Sequence, residues 1–344
     1  MYHGPTVALC KSVSCLKYHE AISGIARMSI STPKDLAASV RQRLLNLAKE
    51  KGEEYNIILV RYALERFLYR ISRSDWKDRF LLKGAMLFPI WFNISYRSTR
   101  DMDLLAFGDG SVSGILDVFK VLCDVIVDDD GMKYLKDSIT GSEIREDNEY
   151  LGVRIQILSM LGNARIPLQI DVAFGDIITT PLEDIFYPTL LDFPAPSIRV
   201  YTKYAVVAEK FQAMVVLGIA NSRMKDFYDL WIIANHSNLD GPLLSNAIRA
   251  TFDRRKTSIP TETPLSLTDS FSEDPVKRTQ WVAFARKKVF LEKEDLNRVI
   301  QFLQTFLMPP TIAAAKGEPF PWDWPAGGPW KKRRTEKEKR KNKR

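Results

Sequence analysis

The sequence predicts an α+β fold, with strands gathered in the middle of the chain and helices on either side. Three observations predict it. Apolar residues recur at helical spacing over 33–50 and 56–71. Between 79 and 174 several segments alternate instead. The pattern is cleanest in ARIPLQIDVAF, where Ile166, Leu168, Ile170, Val172 and Phe174 share one face and Arg165, Gln169 and Asp171 the other. From about residue 203 helical spacing returns and lasts to about 307. With 344 residues, 45% hydrophobic and 27% charged, the chain has ample apolar material for a core. No uninterrupted apolar run is long enough to cross a bilayer.

Taken in order, residues 1–27 show little periodicity, and their one apolar stretch is too short for a secretion signal. Met28 precedes a helix start in which Thr32 caps, Pro33 fits the first turn and Asp35 completes a capping box. Met28 is therefore the expected initiator. RFLLKG reads as a short strand ending at Gly84, and AMLFPIWF as a helix disturbed by Pro89. NISYRST reads as a loop, DMDLLAF as a strand, 112–127 as a helix and DDDG as an acidic turn. YLGVRIQILSML and ARIPLQIDVAF form a hairpin. KYAVVAEKFQAMVVLGIA and SRMKDFYDLWIIANH are helices joined around Gly218 to Asn221. Further helices fall near 241–253, 275–290 and 294–307, and the Pro/Gly/Trp segment GEPFPWDWPAGGPW is expected to pack as an extended strap. The expected organisation is N-terminal helices over 28–78, a strand-rich core over 79–202, a helical domain over 203–308, the strap over 309–330 and a basic tail over 331–344.

The formal net charge of +8 is carried by that tail. Its fourteen residues hold ten Lys/Arg and two Glu, so the other 330 residues balance to zero. A disordered basic end of this kind reads either as a solvated terminus or as a sequence-blind tether for nucleic acid. Cys10, Cys15 and Cys123 make no CxxC pair, and no zinc site or disulfide framework is visible. The chain fits a reducing cytoplasm.

The chemistry concentrates in the acids. Asp101 and Asp103, in RSTRDMDLLAF, are i and i+2 on a strand, so their Cα atoms lie roughly 6.6 Å apart on one face. Unpaired, they would repel. A magnesium ion resolves the repulsion, since it commonly binds one or two carboxylates together with substrate phosphates. Asp171 adds a third carboxylate on the polar face of another strand. The same acids also read as strand-end residues paired with Arg97 and Arg100. Lys83 and Gly84 sit where a strand turns into a helix, a place that admits a phosphate or merely a tight turn. Lys210 lies mid-helix in VVAEKFQAM. In SRMKDFYDLW, Asp226 and Asp229 at i,i+3 and Lys225 and Asp229 at i,i+4 share a face with Arg223 nearby. That face reads as a cationic wall for a triphosphate, with Asp226 holding the cations in place, or as ordinary surface ion pairs.

The order of the pieces adds to this. LKGAMLF, RSTRDMDLL, QIDVAFGD, VVAEKFQAM and RMKDFYDL, over roughly residues 60–236, resemble the nucleotidyltransferase AbiEii/AbiGii toxin family, within the DNA-polymerase-β-like nucleotidyltransferase superfamily. The resemblance implies a mixed sheet flanked by helices and followed by a helical domain. It implies transfer of a nucleoside monophosphate from an NTP with Mg²⁺ and release of pyrophosphate. It implies that Asp101 and Asp103 hold metal, that Asp171 sits at the third acid, and that Lys83, Gly84, Ala85, Arg97, Lys210, Arg223, Lys225 and Asp226 meet the nucleotide's phosphates. The usual second residue of the turn is Gly or Ser, and Ala85 leaves only backbone donors there. The family further implies the toxin of a bacterial toxin–antitoxin pair connected with abortive infection, an antitoxin encoded next door, and RNA as acceptor, tRNA first. Two other readings compete: transfer to a small hydroxylated molecule, and a non-catalytic RNA- or protein-binding regulator acting through the tail and strap.

Overall fold

The computed structural model describes residues 35–92, 99–146, 150–175, 184–286 and 294–333. The segment up to Leu36 is one unit, of which Asp35 and Leu36 are described, and the chain from Ala37 onward is a second. The expected Thr32–Pro33 helix cap and the initiator Met28 lie outside the described residues.

Two helices come first, α1 (Leu36–Lys51) and α2 (Tyr55–Ser72), then strand β1 (Phe80–Lys83), the one-turn helix α3 (Phe88–Trp91), strand β2 (Asp101–Ala106) and helix α4 (Val112–Cys123). Strands β3 (Met132–Glu146), β4 (Tyr150–Leu161), β5 (Ala164–Phe174), β6 (Asp184–Phe186) and β7 (Ser197–Val200) follow. Helices α5 (Lys203–Leu217) and α6 (Met224–His236), the two-residue strand β8 (Leu239–Asp240), and helices α7 (Gly241–Arg254), α8 (Asp269–Glu273), α9 (Pro275–Ala285) and α10 (Leu296–Lys316) complete the helical part. Strands β9 (Trp322–Trp324) and β10 (Lys331–Lys332) pair with β8 in a small second sheet.

The main sheet has seven strands in the order β3-β4-β5-β2-β1-β7-β6. It is mixed: β2 runs parallel to β5 and β1 to β7, and the other neighbours are antiparallel. The predicted hairpin is β4–β5, closing at Leu161 and Ala164. Its apolar face is the expected one, with Ile166, Leu168, Ile170 and Val172 buried. Helices α2 and α4 pack on that face. Phe67 of α2 stacks on Phe119 of α4, and Phe119 meets Phe80 of β1 edge-on. The other face carries Asp101, Asp103, Asp171 and Arg154 beside the buried Leu81 and Leu105.

Several expectations change. AMLFPIWF is a 3₁₀ turn, Gly84–Leu87, followed by α3, and Pro89 fits the first turn of α3 without disturbing it. Strand β3 was not anticipated; as a sheet edge it is polar and lacks a long apolar face. In the expected DDDG turn Asp128 and Asp129 are exposed, but the third acid is not. Asp130 is buried and accepts from Arg66 Nε (3.0 Å) and, as a fork, from Arg70 Nη1 (2.8 Å) and Nη2 (3.1 Å). Cys123 is partly buried at the end of α4. The expected helix over 275–290 is α9, which ends at Ala285, and residues 287–293 are not described.

The largest difference is α10, which was expected to stop before Pro309 and runs on to Lys316. Two prolines in succession leave the Phe306 carbonyl without a donor from either residue 309 or residue 310. Trp330 replaces it: its indole Nε1 donates to Phe306 O at 2.9 Å. The strap therefore begins only after Gly317, which caps α10 in the left-handed region. Trp324 is buried, donates to Ala234 O at 2.7 Å, and lies 5.3 Å from the Trp330 ring and 4.9 Å from that of Phe306. The first tail residues are ordered too, with Arg333 paired to Asp240 and Asp323.

Trp330→Phe should destabilise the chain by roughly 1–2 kcal/mol through the abandoned carbonyl. In a Pro310→Ala background, where a helix N–H can reach Phe306 O, the same change should be milder. Urea melts of the four variants check this.

Candidate functional site

The register of the sheet sets out the site. Lys83 on β1 stands opposite Asp103 on β2, Asp103 opposite Asp171 on β5, and Asp171 opposite Arg154 on β4. Side chains at paired positions project to the same face. The strands thus carry a transverse row of signs, plus, minus, minus, plus, with Asp101 two residues along on the same side. Because α2 and α4 occupy the apolar face, this row forms the floor of an open cleft of about 1450 Å³. Residues of α5 and α6 form its other wall.

Gly84 fits the chain to this floor. Its φ is +67°, and a Cβ there would fall 2.6 Å from Asp103 Cγ and 2.9 Å from Asp103 Cβ. Only glycine lets the turn after β1 close against that carboxylate. Asp101 is held from the other side, where the buried Thr99 donates through Oγ1 to Asp101 Oδ1 at 2.7 Å. Arg100 turns away to Glu54 at 3.6 Å, so the reading of Asp101 and Asp103 as acids paired with Arg100 does not apply. Burial pushes the Asp103 carboxyl up to about 6, and the charges of Asp101 and Asp171 add to the rise. Lys83 and Lys225 pull it back. A group pressed toward neutrality between two carboxylates is one that a cation would relieve. The described residues contain no cluster of three or more His, Cys, Asp or Glu shaped for a metal. What they offer is the two-carboxylate set of Asp101 and Asp103, suited to an ion that completes its shell with phosphate and water.

The helical wall is built from buried ion pairs. Thr202 caps α5 by accepting from Ala205 N, and the helix places Glu209 and Lys210 side by side. Lys210 Nζ lies 2.5 Å from Asp226 Oδ1 and 2.9 Å from Asp229 Oδ2. Both acids are buried, Asp229 completely, so these are not surface ion pairs. Arg223 Nε approaches Asp226 Oδ2 at 3.9 Å. Glu209 accepts from Tyr201 OH at 2.7 Å and pairs with Lys83 Nζ at 3.3 Å, while Lys83 lies 4.5 Å above the Tyr201 ring. Arg255 Nη2 stands 3.8 Å from Glu209 and its Nη1 donates to Gln212 Oε1 at 2.8 Å. Five carboxylates and six cations line the cleft. Most of the cations are already committed to carboxylates, so a polyphosphate entering here needs divalent counter-ions as well.

Of the residues singled out from the sequence, Lys83, Gly84, Asp101, Asp103, Asp171, Lys210, Arg223, Lys225 and Asp226 meet in this one cleft. Ala85 does not line it; its methyl is buried in the 3₁₀ turn. Arg97 lies outside the described residues. Asp171 is in place, but both of its oxygens accept from Arg154, Oδ1 from Nε at 2.9 Å and Oδ2 from Nη2 at 2.8 Å. Thr99, Arg154, Glu209, Asp229 and Arg255 were not assigned roles. Glu209 stood beside Lys210 in AEK, and Thr99 in the quoted RSTRD, but Arg154 and Arg255 carry no local signal, since only the register and the α7 turn bring them in.

Two substitutions probe this geometry. Gly84→Ala should destabilise by at least about 1–2 kcal/mol and displace Asp103; melting and divalent-ion titration read the two effects separately. A carboxyl with a higher pKa folded than unfolded keeps its proton more tightly when folded, so its ionisation opposes folding. For Asp103 the penalty is absent well below pH 4, grows between about 4 and 6 and is complete above that. Asp103→Asn should therefore stabilise the fold by about 1–3 kcal/mol at pH 7 and by much less near pH 4. Denaturant titrations at the two pH values check it, and an equal gain at both would contradict it.

The chain's fold is similar to that of a provisionally assigned nucleotidyltransferase from H. pylori, at 13% identity and a TM-score of 0.43, covering 76% of this chain and 95% of that one. It is similar also to JHP933 from Helicobacter pylori, at 11% identity and a TM-score of 0.42, covering 76% and 92%. Proteins of curated function give no match. The model of the family described as nucleotidyl transferase AbiEii toxin, type IV TA system, matches residues 66–307. That span holds every site residue found in the cleft, and the chain belongs to the AbiEii nucleotidyltransferase toxin family.

Proposed function

We infer that this nucleotidyltransferase moves a nucleoside monophosphate from an NTP to a hydroxyl on RNA, tRNA being the preferred acceptor, with Mg²⁺ as the divalent ion. The observation that carries the reading is the pair Asp101 and Asp103 on the floor of a cleft walled by Lys210, Arg223 and Lys225. A Mg²⁺ ion held by the two carboxylates would neutralise phosphate oxygens and make the α-phosphorus more electrophilic. The chain's own part is positioning. Lys83, anchored by Glu209 and Tyr201, and the Gly84 backbone hold one side of the phosphates. Lys210, fixed between Asp226 and Asp229, and the cations Arg223 and Lys225 hold the other. Arg97 joins them on the strength of the family motif. The acceptor oxygen bonds to Pα while the bond from Pα to the bridging oxygen breaks. Its electron pair leaves on pyrophosphate and the hydroxyl proton is released.

RNA is favoured by the resemblance of some members of the family to enzymes that add nucleotides to tRNA 3′ ends, and by the basic C-terminal residues. The described residues contain no helix long and apolar enough to cross a membrane. We place the reaction in the cytoplasm, with its antitoxin encoded in the adjacent gene. Incubation with each labelled NTP, Mg²⁺ and total RNA tests the reading. Label should enter RNA, and Asp101→Ala or Lys210→Ala should lower transfer by about 10²–10³-fold. Absence of label in RNA, or undiminished transfer by Asp101→Ala, would overturn it. Label appearing in small-molecule fractions would reassign the acceptor.

A further inference from the structure

Asp171 occupies the place of a third acid, one strand from Asp103. Its carboxylate is nonetheless engaged at both oxygens. Arg154 Nε donates to Oδ1 at 2.9 Å and Nη2 to Oδ2 at 2.8 Å, and Gln169 Nε2 adds a contact to Oδ2 at 3.4 Å. A metal bound directly to Asp171 would have to share the carboxylate with this fork, which already holds its orientation and balances its charge, and bidentate charge-assisted pairs are the strong ones. The fork uses Nε and Nη2 only. Nη1 makes no hydrogen bond among the described residues, and the Arg154 side chain is 40% exposed to the cleft. Asp101 and Asp103 also stabilise its charge.

The strand order gives this free edge a direction. Lys83 lies on one side of Asp103, and Asp171 and then Arg154 on the other. The helical cations and Lys83 grip phosphates, so the leaving pyrophosphate belongs to their side. An in-line displacement brings the attacking hydroxyl from the opposite side. With strands about 4.8 Å apart, Lys83 and Arg154 are backed by positions roughly 14 Å from each other and serve different phosphates.

We propose that Asp171 is the anchor of Arg154, not a third metal ligand, and that Arg154 presents its free guanidinium edge to a phosphodiester of the acceptor, on the attacking side of Asp101 and Asp103. This rests on the nucleotidyltransferase reading above and assigns the acceptor a chemical class: a chain carrying a phosphate next to its reacting hydroxyl. Asp171 is then a positioning residue acting through Arg154.

The test uses the full chain and two independent readouts. The first is Mn²⁺ binding in the presence of a non-hydrolysable NTP analogue. Asp171→Asn and Arg154→Lys should leave Mn²⁺ affinity within about twofold, whereas Asp103→Asn should lower it at least about tenfold. The second is steady-state transfer. Arg154→Lys, which keeps charge but loses the fork, and Asp171→Asn should each raise the RNA KM about tenfold with the NTP KM unchanged, and the double variant should be no worse than either. Removing the acceptor's neighbouring phosphate, with a mononucleoside as acceptor, should erase the difference between wild type and Arg154→Lys. Loss of Mn²⁺ affinity in Asp171→Asn would overturn the anchor role, and an unchanged RNA KM in Arg154→Lys would overturn the acceptor contact. Should Asp171→Asn fail to fold, Arg154→Lys, at an exposed side chain, decides by itself. A wild-type chain that labels no RNA sinks the proposed function, and the Mn²⁺ arm still reads the role of Asp171.

Discussion

Everything in the cleft depends on the crowding of Asp103. Its carboxylate lies between those of Asp101 and Asp171, against the α-carbon of Gly84 and within the field of Lys83 and Lys225. Folding alone does not favour this arrangement, because burial and two like charges push the group toward its neutral form. The structure tolerates it because the surroundings leave no alternative. The register fixes the strand neighbours, Gly84 admits the carboxylate, and Thr99 pins its neighbour Asp101. Such crowding of like charge is what a bound cation would relieve.

The rest of the molecule can be understood as support for that floor. Apolar alternation on β5 and β2 commits one face of the sheet to α2 and α4, which leaves the other face free for charge. The α5–α6 wall must present cations without letting them collapse onto the acids of the floor. Burying Asp226 and Asp229 against Lys210 achieves this, since a cation held by two desolvated carboxylates has little freedom to swing. Lys83 is restrained in the same way by Glu209 and the Tyr201 ring. The site is thus a set of pre-paired charges, and under the proposed function a polyphosphate with its metal ions would exchange partners there without requiring a new fold.

Much of this was legible in the sequence. The spacing of Asp101 and Asp103, the alternation around Asp171, and the order of the short motifs located the floor and the wall, because each is a local pattern that periodicity can show. The lateral partners were not legible. Arg154 lies seventeen positions before Asp171, and only the β4–β5 register makes them neighbours. Asp229 read as a surface residue until α6 was seen with Lys210 lying over it. Strand β3 escaped because an edge strand need not be apolar. Helix α10 seemed to end at its prolines because the donor that replaces the missing N–H groups, Trp330, comes from a segment that read as a strap. In each case the deciding contact is long-range, and the sequence gives no local trace of it.

The central claim is that Asp101 and Asp103 jointly grip a divalent ion that carries the nucleotide's phosphates. Anomalous diffraction from crystals grown with Mn²⁺ and a non-hydrolysable NTP analogue measures this directly. The account predicts an anomalous peak within about 2–2.5 Å of oxygens from both carboxylates, with phosphate oxygens completing the shell. A nucleotide bound elsewhere, or a peak touching neither Asp101 nor Asp103, would contradict it.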